Sequence, residues 1–188
     1  MPINIRPGKE VYDFPITIDR SKITNPAGAL PIAFDAVSSG RTPDAGAGSL
    51  TWSHTVGAGS ERLLVVGVSI LNNASQTVSS VTYNSTALTY LNSAANGTNA
   101  RMELWYLKEA NFPGTPGAYD VVVTLSLSAR CVAGATSLFN VDQTTPFGTF
   151  ASATDSGSAP SVTVTNASGD VVVGVLAKNY PEDVSKGA

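Results

Sequence analysis

The chain has 188 residues, of which 43% are hydrophobic and 13% charged, with a net charge of −3. That length and apolar content support one good core and exclude wholesale disorder, and the 11 lysines and arginines are scattered rather than clustered as a phosphate backbone would require. A single cysteine, Cys131, excludes an internal disulfide and gives no zinc-ligand spacing.

Residues 1–45 differ from the rest in being rich in proline and charge, and they read as an extended N-terminal arm. Within it "FPITIDRSKI" is compatible with one short strand. The apolar residues Val11, Tyr12, Phe14, Ile16 and Ile18 mark the arm as one that docks on something. The opening "MPINIRPGKEVYDFP" has no apolar core of the signal-peptide type, so export by that route is not expected.

From residue 46 onward, short strand patterns alternate with turn clusters. "LTWSHTV" sets Leu50, Trp52 and His54 on one face, and "RLLVVGVSIL" is a continuous apolar run that reads as a central strand. "SSVTYNSTALTY" folds at Asn84-Ser85 into a hairpin. Tyr83 then faces Thr86, Thr82 faces Ala87, Val81 faces Leu88 and Ser79 faces Tyr90. Val81, Tyr83, Leu88 and Tyr90 share the apolar face, and the other face is small and polar.

"RMELWYLK" puts Met102, Leu104 and Tyr106 on one side and Glu103, Trp105 and Leu107 on the other. "AYDVVVTLSL", "ARCVAGATSLFNV", "GTFASAT", "SVTVTNA" and "DVVVGVLA" follow as further strands. Short strands at regular spacing define an all-β protein: an antiparallel β-sandwich, Ig-like or jelly-roll-like, over 46–178, with 179–188 as a tail or the start of a further segment. The expected core holds Leu64, Val66, Val68, Val81, Tyr83, Leu88, Leu104, Val121, Val123, Val172 and Val175. Val171 to Leu176 look apolar on both faces, which predicts a strand inside a sheet or under a covering layer.

"SSVTYNSTALTY", "MELWYL", "PGAYDVVVTLS" and "GDVVVGVLA" together resemble a β-sandwich module of bacteriophage virion proteins and bacterial surface proteins. The resemblance covers about residues 48–178. The chain departs from that module at Ser85, where glycine is common, and in lacking its final strands. "YDFPITIDRSKI" is similar to the opening of another phage and surface-protein domain. Both resemblances rest on strand and turn residues and imply a fold, not a reaction.

No catalytic, cofactor or metal residues are assigned. His54 neighbours Ser53, but adjacent strand residues point to opposite faces and cannot form the nucleophile–base hydrogen bond. Among the carboxylates Asp13, Asp19, Asp35, Asp44, Glu103, Asp120, Asp142 and Asp155, no spacing selects a pair for glycoside hydrolysis. Asp155 and Asp183 have no loop motif that would supply calcium's several oxygens. Trp52, Tyr83, Tyr90, Trp105 and Tyr106 are available for a sugar platform but read as core. The sequons at Asn73, Asn84, Asn96 and Asn166 read as chance in a chain this rich in Asn, Ser and Thr.

The expectation is a non-enzymatic structural protein of a bacteriophage virion: a capsid decoration, head fibre or tail protein. Its expected partners are other virion proteins or copies of itself, with no nucleic acid and no membrane insertion. The alternative is a carbohydrate-binding or adhesive module at the bacterial surface.

Overall fold

The computed structural model describes residues 30–71, 75–154, 161–165 and 170–177. The arm residues Val11, Tyr12, Phe14, Ile16 and Ile18 lie outside them, as do Asp13, Asp19, Asn73, Asp155, Asn166 and Asp183.

Among the described residues, nine strands form two antiparallel sheets packed face to face. They are β1 (Ala33–Arg41), β2 (Ala47–Val56), β3 (Leu63–Leu71), β4 (Val78–Tyr83), β5 (Thr86–Ala87), β6 (Thr89–Asn96), β7 (Ala100–Lys108), β8 (Gly117–Ala129) and β9 (Cys131–Phe139). The larger sheet has the order β1-β9-β3-β7-β6 and the smaller β2-β8-β4-β5. The chain is thus an all-β sandwich, as the strand spacing indicates.

The core between the sheets follows from the period-2 alternation of each strand. Leu64, Val66, Val68 and Ile70 of β3 meet Leu50 and Val56 of β2, Val81 and Tyr83 of β4, and Val121, Val123 and Leu125 of β8. Leu63 and Val65, on the other face of β3, belong to a second apolar cluster with Leu104, Leu138, Val141 and Val173. This cluster covers the opposite, outer face of the larger sheet. A strand buried on both faces needs apolar residues at every position, which is why "RLLVVGVSIL" lacks alternation.

The Asn84-Ser85 hairpin forms as expected. Both turn residues have positive φ, 48° and 65°, the signature of a type I′ turn. Tyr83 pairs with Thr86 and Thr82 with Ala87, and Leu88 N–H donates to Val81 C=O at 2.8 Å. There the expected register stops. The chain changes sheets after Leu88, and Tyr90 pairs with Trp105 of β7 instead of Ser79. Tyr90 is accordingly 45% exposed rather than core.

Four other expectations need correction. β1 lies inside the stretch expected to be arm, so the sandwich begins near residue 33 rather than 46. Its pattern is inverted: Asp35 and Ser38 bond inward while Phe34 and Val37 are exposed, so apolar alternation misreads it. "GTFASAT", "SVTVTNA" and "DVVVGVLA" form no ladder among the described residues. Their apolar residues report burial as a cover rather than membership of a sheet. Leu104 lies in the outer cluster, not the inter-sheet core. Val173 is the buried residue of the last segment, with Val175 packed beside it and Val172 half-buried.

Gly67 explains how the cover sits so close. A Cβ there would stand 2.3 Å from Val175 Cγ2. Its partner across the ladder is Gly134 of β9. Two neighbouring glycines lower the outer surface of the sheet where Val175 rests.

Candidate functional site

Sequence reasoning singles out His54 as the one histidine. It faces inward from β2, 1% exposed, whereas Ser53 is exposed on the other face. These two do not come together. Two other serines do, delivered by strands distant in sequence. Ser38 Oγ of β1 lies 2.8 Å from His54 Nδ1. Ser137 Oγ of β9 lies 3.2 Å from Nε2.

Trp52 Nε1–H donates to Ser38 Oγ at 2.9 Å, and the Ser38 hydroxyl hydrogen is available to Nδ1 of a neutral ring. At the far end the Ser137 hydroxyl donates to Asp35 Oδ2 at 2.6 Å, so Nε2–H donates to Ser137. Asp35 also accepts Gly57 N–H at 3.0 Å. In the neutral imidazole the proton therefore sits on Nε2, and Nδ1 accepts from Ser38. Burial lowers its pKa from 6.5 to about 4, against the opposing pull of the Asp35 charge.

This chain of hydrogen bonds ties β2 of the smaller sheet to β1 and β9 of the larger one. It satisfies every polar group it buries. The residue types are those of acyl-transfer catalysis, but Ser137 is fully buried and His54 nearly so. No substrate carbon reaches them in this fold. The only sequence signal for the arrangement is a polar residue at an inward position on each of β1, β2 and β9.

Glu103 is a second polar residue turned into the sandwich, on the β7 face it shares with Trp105 and Leu107. It points inward from β7, 2% exposed. Its carboxylate accepts Arg101 Nε–H at 2.6 Å, Val78 N–H at 3.1 Å and Trp105 Nε1–H at 3.3 Å. Arg101 Nη2 continues to Ser93 Oγ at 3.0 Å, which also accepts the Tyr90 hydroxyl at 2.9 Å. Tyr90 meets Trp105 edge-on, centroids 5.4 Å apart. Of the aromatics weighed as a sugar platform, Tyr83 and Trp52 pack in the core, Tyr106 lies against Phe147, and Tyr90 is open to solvent.

Cys131 is buried, and burial pushes its thiol up to about 12. Among the described residues no group of three or more His, Cys, Asp or Glu is placed to hold a metal ion. No described helix is long and apolar enough to cross a membrane.

The apolar feature with room for a ligand among the described residues is the outer face of the larger sheet. There the second apolar cluster and its irregular cover leave a cavity of about 280 Å³. Leu91, Met102, Leu104, Phe150, Val173 and Val175 line it. Val162 and Leu176 stand at it with 47% and 36% of their surfaces exposed. It lies beside β6, the last strand of the sheet order. A second hollow, polar and open, sits at the hairpin tip among Thr82, Asn84, Tyr119 and Asp120.

The fold and site define an antiparallel β-sandwich with an apolar groove on its larger sheet. No family model, curated protein or solved structure matches the chain.

Proposed function

We propose that the protein is a non-enzymatic structural and interaction module, a component of a bacteriophage particle such as a capsid decoration, head fibre or tail protein, joined to its neighbours through the N-terminal arm. The observation that carries the reading is the apolar groove at the border of the larger sheet, with exposed Val162 and Leu176 at it. Apolar surface open to water at a sheet border invites cover by protein. The low charge, the serine- and threonine-rich composition and the resemblance to virion sandwich modules favour a particle as the setting.

Mass spectrometry of purified particles tests it. The chain should be present in many copies and should be lost from particles when the arm is removed. Its absence from intact particles would sink the reading. Exposed Tyr90 beside Trp105 and the Arg101 guanidinium favour the second reading, an adhesive glycan-binding module. That reading requires saccharide binding that Tyr90→Ala abolishes.

A further inference from the structure

The groove beside β6 needs an occupant, and the chemistry of the site narrows the choice. Among the described residues β6 has a hydrogen-bonded neighbour, β7, on one side only. Its other side offers backbone N–H and C=O groups to an added strand. An occupant there pairs with β6 and turns alternate apolar side chains into the groove.

The chain carries such a segment outside the described residues: "FPITI", residues 14–18. In an extended strand Phe14, Ile16 and Ile18 share one face. Residues of the same parity also direct their backbone groups to one neighbour. In the register that turns the backbone groups of Phe14, Ile16 and Ile18 toward β6, Pro15, which has no N–H, falls on the far side. That is the position an edge strand tolerates, and it blocks addition of a further strand.

Reach decides whose segment it is. Ile32 already packs against the outer apolar cluster. Ala33 is level with Phe139, Leu63 pairs with both Leu138 and Lys108, and Thr89 pairs with Tyr106, so the start of β1 and the start of β6 lie at the same end of the sheet. Four strand spacings separate them, roughly 19 Å. Residues 19–29 span up to about 36 Å. A tether of this kind gives an effective concentration in the millimolar range, above that of a second copy in dilute solution.

We infer that the groove beside β6 is the seat of this chain's own residues 14–18, added as an outer strand with Phe14, Ile16 and Ile18 turned into it. This rests on the arm being a docking element. It adds that the isolated chain covers its own apolar surface, so assembly proceeds by exchange of the arm.

The test is disulfide trapping in the full chain at micromolar concentration. Ile16→Cys is combined with Ala94→Cys, an outer-facing position of β6 paired with Met102. The control combines Ile16→Cys with Ser53→Cys on the exposed face of β2. Buried Cys131 stays out of the exchange.

A cross-link within single chains, well above the control, is expected. Amide exchange in β6 should also speed up at least roughly tenfold in a Phe14→Ser, Ile16→Ser, Ile18→Ser variant while β3 stays protected. Cross-linking only between chains, or no better than the control, overturns the inference. If the triple-serine variant still enters particles normally, the arm is not the docking element and the proposed function fails. If it is excluded while no cross-link forms, that function stands and the seat lies elsewhere.

Discussion

Acid should weaken this protein from pH 6.5 downward, and His54 is the reason. Above pH 6.5 the imidazole is neutral in both folded and unfolded chains. Between pH 6.5 and about 4 the unfolded chain takes up a proton that the folded chain refuses. Stability therefore falls with pH through that window and levels off, for this group, below about 4. Moving the proton-binding midpoint from 6.5 to about 4 is worth about 3 kcal/mol.

That is a large fraction of the roughly 5–15 kcal/mol that holds a domain together. The structural cause is specific. Burial disfavours a charge on the ring, and protonation would end the acceptor role of Nδ1 toward the Ser38 hydroxyl. The charged groups near the ring are few: Asp35 of β1 favours protonation, and the Tyr83 ring stands 6.3 Å away. Glu109 and Asp142 are also held below the usual carboxylate range, by Arg62 and by the Thr144 amide respectively. Their contributions fade mostly below the histidine window.

Urea unfolding midpoints for the wild type and His54→Gln, from pH 7.5 to 4, separate the causes. The wild type should lose stability steeply between pH 6.5 and 4, and the variant should be nearly flat there. Parallel curves would refute the assignment.

Three further outcomes follow from packing. Val123 is fully buried between the sheets, so Val123→Asp should abolish soluble expression; a cooperatively melting variant would show the core is misplaced, since an unpaired buried charge costs many kcal/mol. Deleting residues 1–29 should leave a folded sandwich by circular dichroism, whereas deleting 1–40 removes most of β1 with Asp35 and Ser38 and should not. Glu103→Ala should lower the unfolding free energy by about 3–5 kcal/mol, because Arg101, the Val78 amide and the Trp105 indole lose the acceptor they share. If Arg101→Met combined with Glu103→Leu restores most of that loss, the pair serves packing rather than binding.

What was legible in the sequence is what alternation encodes. β2, β7 and β8 show their faces in apolar spacing, β3 shows its double burial in an unbroken apolar run, and the Asn84-Ser85 turn announces its hairpin. β1 was illegible because its inward positions are polar and are satisfied only by His54 and Ser137, distant in sequence. Glu103 was illegible for the same reason: a carboxylate looks exposed until Arg101, Trp105 and the Val78 amide surround it. Residues 171–177 mislead in the opposite sense. Val173 is buried and Val175 packs over Gly67, but as part of a cover rather than by joining a ladder. The groove has no motif at all, since it arises from the gap between a sheet and its cover.

The junction at the start of β1 has a mechanical side. Antiparallel β1 and β9 place Ala33 beside Phe139, at one end of their ladder. Tension arriving through the arm therefore pulls at the mouth of a zipper, where hydrogen bonds fail singly rather than together in shear. Two extra fasteners stand at that mouth. Asn140 Nδ2–H donates to Pro31 C=O at 2.9 Å, and the Ser137 hydroxyl donates to Asp35 at 2.6 Å. Any load carried by the arm meets these before it reaches the ladder. A subunit held by its N-terminus is only as strong as this short seam.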